Sequence, residues 1–267
     1  MGVSLQILNF RSPSQESTDL TSAPVLSVNV PYVTASIESL PQALEALGLT
    51  QRTPVLVVIG GASQISPEDF DRIRQLFQEV LAPIAQQVGA TVIDGGTHAG
   101  IMQLMGEARS SLEYQFPLLG IAPVHLTCMP GESSHSEDIT PLESHHTHFI
   151  GVPGNEWGDE SQILARTATA IASGSPSVAI VINGGAVTLL DEQYNAAEGR
   201  ELWVIAGTGR NADRLSAALQ GDQSDPQLVA LVETGLVKGY SLDQPNLLKE
   251  ALIKFLRVDG HDQPIRT

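Results

Sequence analysis

The chain has 267 residues and a net charge of −16, with 14 Lys and Arg against 30 Asp and Glu. That balance argues against a sequence-independent grip on DNA or RNA and against anionic membrane surfaces, both of which rely on basic patches. A small anion held by loop N–H groups and one or two arginines stays compatible with it. The single cysteine, Cys128, excludes an intrachain disulfide and fits a reducing, cytoplasmic setting. No apolar run approaches the ~18 residues of a membrane span, and the length suits one large α/β domain.

In chain order, residues 1–24 read as a flexible N-terminal arm, polar and rich in Ser and Thr from residue 11 on, with residues 25–267 as a single domain. Val25 to Val30 reads as a strand, and Ser36 to Leu47 as a short helix stopped by Gly48. Val55 to Ile59 is an apolar strand that runs into Gly60-Gly61-Ala62-Ser63. Ser66-Pro67-Glu68-Asp69 is a helix start, with a Ser cap, Pro at the first position and acids in the first turn. Phe70, Ile73, Phe77, Val80, Leu81, Ile84 and Val88 then recur at helical spacing, and Pro83 predicts a kink.

Ala90 to Ile93 is the next strand, followed by Asp94-Gly95-Gly96-Thr97-His98-Ala99-Gly100 and a helix over Ile101 to Leu112. Leu118 to Ala122 and His148 to Val152 read as buried strands, separated by a polar loop over 127–144. Gln162 to Ala172 is a helix. Val178 to Ile182 leads into Asn183-Gly184-Gly185 and a helix over Val187 to Ala197. Leu202 to Ala206 leads into Gly207-Thr208-Gly209-Arg210 and a helix over Asn211 to Leu219. Gln227 to Val232 and Asn246 to Leu256 are the last helices. Strands alternating with helices predict a doubly wound, mainly parallel sheet with helices on both faces, and such sheets bind ligands beyond the carboxyl ends of their strands.

A strand that ends in glycine and turns directly into a helix aims N–H groups, and the positive end of the helix dipole, at one point suited to a phosphate. The arrangement recurs at Gly60 and Gly61 with Ser63, at Gly95, Gly96, Thr97, His98 and Gly100, at Asn183, Gly184 and Gly185 with Thr188, and at Gly207, Thr208, Gly209 and Arg210. The alternative at each is an ordinary packed turn. Arg210 either pairs bidentately with a diphosphate or neutralises Asp213. On the phosphate reading, Gly96→Asp is expected to abolish binding with the fold intact.

The ordered series Ile59-Gly60-Gly61-Ala62, Asp94 to Met102, Gly120-Ile121-Ala122-Pro123, His146-Thr147-His148-Phe149, Asn183-Gly184-Gly185 and Gly207 to Arg210 resembles the SLOG superfamily. That Rossmann-like group includes the Lonely Guy (LOG) proteins and the N-terminal region of TRPM channels, and the likeness is closer to the TRPM branch. The resemblance implies a Rossmann-like fold and a pocket for a nucleotide derivative such as an ADP-ribose-like molecule. It implies a ligand-sensing module, needing no further cofactor, with a homo-oligomer or an effector protein as macromolecular partner.

The LOG branch implies an enzymatic alternative, hydrolysis of the N-glycosidic bond of a nucleotide. Its PGGxGTxxE motif corresponds here to Asn183 through Asp191, with Asn183 for the Pro, Val187 for the third Gly and Asp191 for the Glu. Asp191 and the adjacent Glu192 are then the catalytic candidates, and Arg166 on the preceding helix is the candidate for that branch's functional Arg. The remaining candidates are weaker in kind. His146 and His148 share one face of a strand, but no histidine spacing supplies three or four metal ligands. His148 reads as a core histidine or a base-or-ribose contact, and Cys128 as a bystander thiol.

Overall fold

The computed structural model describes residues 3–11, 27–61, 65–130 and 139–257. Its elements are β1 (Leu5–Arg11), β2 (Ser27–Thr34), α1 (Leu40–Ala46), β3 (Val55–Gly60), α2 (Pro67–Leu76), a π-helical turn (Phe77–Leu81), α3 (Ala82–Val88), β4 (Thr91–Asp94), α4 (Gly100–Ser111) and β5 (Leu118–Pro123). They continue with β6 (Thr127–Cys128), β7 (Thr140–Pro141), β8 (His148–Val152), α5 (Ser161–Ala172), β9 (Ser177–Ile182), α6 (Ala186–Ala197), β10 (Glu201–Ala206), α7 (Arg210–Leu219), α8 (Pro226–Glu233), β11 (Val237–Ser241) and α9 (Pro245–Leu256).

One nine-stranded sheet runs in the order β1-β2-β8-β5-β4-β3-β9-β10-β11, parallel throughout except for the antiparallel β1–β2 pair. The stretch from β5 to β11 has the order of a dinucleotide-binding sheet, and β8, β2 and β1 extend it. Alternate residues of β3 explain why both faces are covered. Val55, Val57 and Ile59 pack with α1, α5, α7 and α8, while Leu56 and Val58 pack with α2, α3, α4 and α9. A strand buried on both sides reads as an unbroken apolar run, as this one does. The expected doubly wound sheet is therefore the fold.

Four local expectations change. Leu5–Arg11 is a strand rather than part of an arm, pairing in register from Leu5 with Val33 to Arg11 with Ser27; residues 1–2 and 12–24 of the expected arm lie outside the described residues. The strand expected over Val25 to Val30 extends to Thr34 as β2, described from Ser27 on, while Val25 and Leu26 lie outside the described residues. The single helix expected from Pro67 to Val88 is divided by the π-helical turn, which sits just before Pro83. A proline lacks the N–H that the preceding turn needs, and one widened turn absorbs the mismatch. Strand β11, with its exposed Lys238 and Gly239, has too few apolar residues to announce itself.

The chain moves outward from β3 through β4 and β5 to β8, then crosses back to β9 on the other side of β3. The carboxyl ends of β3 and β9 are therefore the topological switch point, where the turns after them separate and leave a crevice. At that point the two strands approach closely. A Cβ on Gly60 would stand 1.9 Å from the Ile182 carbonyl oxygen, so only glycine fits there.

Candidate functional site

A cleft of about 490 Å³ opens at this switch point. Of the residues singled out from the sequence, Gly60, Gly61, Gly95, Thr97, Gly185, Thr188, Asp191 and Arg210 line it. Ser63 lies outside the described residues. The cleft is completed by Met102 and by residues that carried no motif, among them Trp157, Glu160, Thr140 and Leu164.

One wall of the cleft is built at the start of α6. Gly185 is the N-cap, and Ala186, Val187 and Thr188 form the first turn and face the cleft. First-turn N–H groups have no carbonyl one turn back, so they point outward with the positive end of the helix. The Thr188 hydroxyl accepts a hydrogen bond from the Gly185 N–H at 3.1 Å, which holds the turn in shape. Arg210 brings a guanidinium nitrogen to within 2.9 Å of where a Cβ on Gly185 would lie, so its charge stands over the same turn. Asp213 is engaged elsewhere, accepting from the Gly207 N–H at 2.7 Å.

Asn183 and Thr208 brace this arrangement from beneath. The Asn183 N–H donates to Thr208 Oγ1 at 2.9 Å, and its Nδ2 donates to the Thr208 carbonyl at 2.7 Å. Asn183 Oδ1 accepts from the Gly184 N–H, and Thr208 is fully buried. Asn183 and Thr208 thus join the turns after β9 and β10, and neither they nor Gly184, Gly207 and Gly209 are among the described residues that line the cleft. Asn183, Gly184, Gly207, Thr208 and Gly209, expected as ligand contacts, stand beside this lining rather than in it.

The turn after β4 divides in the same way. Gly95 and Thr97 line the cleft, whereas Gly96 is packed inside. A Cβ on Gly96 would lie 2.7 Å from Gly120 Cα, and its φ of +65° already favours glycine. Gly96→Asp would therefore damage the fold, contrary to expectation. His98 is exposed and donates its N–H to the Pro141 carbonyl at 2.7 Å, and Gly100 begins α4; neither lines the cleft.

Beneath this turn lies a buried polar chain that sequence reasoning missed. Asp94 Oδ1 accepts from the Gly96 N–H at 2.7 Å and meets His146 Nε2 at 2.8 Å. His146 Nδ1 meets Glu143 Oε2 at 2.8 Å, and Glu143 also holds His145. The Glu143 N–H donates to the Gly96 carbonyl at 2.9 Å, which ties the chain to the turn's backbone. Burial works against a charge on His146, but the flanking carboxylates prevail and raise it to about 9. Glu143 is likewise pushed up by burial, yet its two histidines bring it down to about 2. Both results describe an imidazolium clamped between carboxylates.

Three further candidates lie outside the cleft lining. His148 lies off the cleft at the start of β8, its Nδ1 2.7 Å from Thr147 Oγ1. Burial, with the Arg109 charge adding, lowers it to about 4. Arg166 points outward from α5 and pairs with Glu198 at 3.5 Å. Glu192 is buried and accepts from Asn211 Nδ2 at 2.7 Å on α7, one position and ~100° round α6 from the cleft-lining Asp191. Burial raises it to about 8.

Asp191 falls on the cleft face because it lies one turn beyond Val187 and Thr188. Burial raises its carboxyl to about 7, and the neighbouring Glu160 adds to the shift. Its Oδ1 is buried and has no hydrogen-bond partner within bonding distance among the described residues. Glu160, just before α5, is raised by burial as well, and its Oε2 accepts from the Gly158 N–H at 2.8 Å. Trp157 keeps 37% of its surface exposed at the cleft, which leaves a ring face available. A helix start, an arginine, an aromatic ring and two carboxyls of raised pKa thus share one crevice.

A family model described as "SLOG in TRPM, prokaryote" matches residues 53–249, and the chain belongs to that family. It is 30% identical over 202 residues to transient receptor potential cation channel subfamily M member 2 of Rattus norvegicus, covering 62% of this chain and 13% of the channel. Over 263 residues it is 27% identical to subfamily M member-like 2 of Nematostella vectensis, covering 77% and 17%. The chain thus spans less than a fifth of the length of either relative. Among solved structures it is similar to the molybdenum cofactor binding protein of Rippkaea orientalis, with 17% identity over 76% of this chain and 98% of that one and a TM-score of 0.47. No described helix is long and apolar enough to cross a membrane.

Proposed function

We propose that this member of the SLOG-in-TRPM family is a cytoplasmic sensor that binds a nucleotide derivative of the ADP-ribose kind. The observation that carries the reading is the meeting of the α6 N-terminus and the Arg210 guanidinium in one switch-point cleft. A diphosphate suits that pair, since it takes N–H bonds from the helix start and a two-pronged contact from arginine. Trp157 offers a surface on which a base can stack. The cleft volume of about 490 Å³ falls in the range of small-molecule sites. An effector protein or a second copy of the chain would read the bound state.

A thermal-shift series with ADP-ribose, cyclic ADP-ribose, NAD, AMP and ATP tests this. A ligand at ~100 times its Kd adds about 2.7 kcal/mol, roughly 5–10 °C for a domain of this size. A selective shift from an adenosine diphosphate derivative is expected. No shift from any of the five would count against the reading.

A second reading rests on Asp191 and Glu160. A carboxyl raised to about 7 beside another acid is poised to exchange a proton near neutrality, as hydrolysis of an N-glycosidic bond requires. Release of free base from a nucleotide, lost in Asp191→Asn, is its expected outcome; intact nucleotide after long incubation would sink it.

A further inference from the structure

A second groove, of about 570 Å³, lies at the opposite edge of the sheet. Arg52 precedes β3 and Pro176 precedes β9, so the groove opens at the amino ends of the strands whose carboxyl ends form the cleft. Its floor is aromatic. Trp203 stacks on Tyr240 with ring centroids 4.8 Å apart and meets Phe255 at 5.3 Å. Tyr240 and Phe255 are half-buried, each leaving part of its ring accessible.

Its rim is cationic. Arg52, Lys238, Lys254 and Arg257 all line it and are exposed, and among the described residues no Asp or Glu does. Lys238 is committed to Glu201 at 2.7 Å, with its ammonium 5.7 Å from the Trp203 ring centroid. Arg52 donates Nε to Ser175 Oγ at 2.8 Å. Among the described residues Arg52, Lys254 and Arg257 make no ion pair. A chain of net charge −16 with only 14 Lys and Arg has gathered four of them around one groove. Uncompensated cations over an aromatic floor favour a ligand with both a negative group and a flat ring. The surrounding negative field disfavours an extended polyanion, so the ligand is small.

We propose that this groove is a second ligand site, separate from the switch-point cleft, for a small nucleoside phosphate. Its phosphates meet Arg52, Lys254 and Arg257 while its base lies against Tyr240 and Phe255.

The chain's two tryptophans make the test site-specific, since Trp157 lines the cleft and Trp203 the groove. In Trp157→Phe, Trp203 is the only emitter. Its fluorescence is titrated with ADP, pyrophosphate and adenosine. The expected result is a saturable change with ADP, at least tenfold weaker with either fragment. In the same background Lys254→Gln with Arg257→Gln should weaken ADP at least tenfold, and thermal unfolding checks that the fold survives. Arg210→Ala should leave the Trp203 response unchanged. The proposal is overturned by the absence of a saturable change. It is equally overturned by a response that survives the double substitution, one that disappears with Arg210→Ala, or pyrophosphate binding as tightly as ADP.

Discussion

The turns after β4 and β9 look alike in the sequence, each a strand ending in paired glycines before a helix, yet they do different work. The turn after β4 is held by buried charge. Asp94, His146 and Glu143 grip its backbone, and Gly96 packs against Gly120. The turn after β9 is held by neutral bonds between Asn183 and Thr208, and it spends its helix start on the cleft beside Arg210. A glycine pair therefore marks a tight turn reliably, while its surroundings decide whether the turn presents a helix start to the cleft or packs most of its backbone inside.

The contrast is sharpest between two neighbours. Gly96→Ala places a Cβ 2.7 Å from Gly120 Cα at a φ of +65° and should destabilise by about 3 kcal/mol. A Cβ on Gly95 meets only the Met102 side chain, at 3.7 Å, so Gly95→Ala should stay within about 0.5 kcal/mol. Urea unfolding of both variants decides it, and equal losses would break the distinction.

Buried charge also gives the β4 turn a pH signature. His146 is raised from 6.5 to about 9, so its stabilisation is complete below pH 6.5 and is lost as pH rises through 9. The amount is on the order of 3 kcal/mol. His146→Gln should abolish that loss between pH 6.5 and 9, and an undiminished loss in the variant would contradict the clamp.

On the cleft side, Asp191 is raised from 3.8 to about 7, so its contribution is complete below pH 3.8 and lost as pH rises through 7. Asp191→Asn, which keeps the neutral shape, should raise Tm at pH 8 by about 5 °C and leave it unchanged below pH 3.8. A gain equal at both pH values would mean that the carboxyl is not held neutral. The smallest effect belongs to Arg166→Ala. It removes only a surface pair with Glu198 and should change stability by less than about 0.5 kcal/mol, with ligand affinity unaltered; weakened binding would return Arg166 to the site.

The fold was legible because β3, β4, β5, β9 and β10 are apolar runs ending in turn residues, a pattern that buried parallel strands impose. The cleft was legible where glycine or a helix start marks it, at Gly60, Gly61, Gly185 and Thr188. Trp157 and Glu160 escaped because they lie in the connection from β8 to α5. They reach the cleft only through the crossover that makes the switch point, and an aromatic and an acid just ahead of a helix were the one signal available. The Asp94–His146 contact joins positions 52 residues apart, and no local pattern announces such a pair. Glu192 and Arg166 fall outside the cleft lining because positions on a helix face different ways, which spacing alone does not resolve without knowing the packed face.

The most direct test is calorimetric titration of ADP-ribose into the wild-type chain and into Arg210→Ala. The account predicts saturable binding by the first and at least a tenfold loss in the second, with the ligand-free Tm of the two within a few degrees. Equal affinity in both proteins would remove the α6 start and Arg210 from the site and contradict the assignment of the cleft.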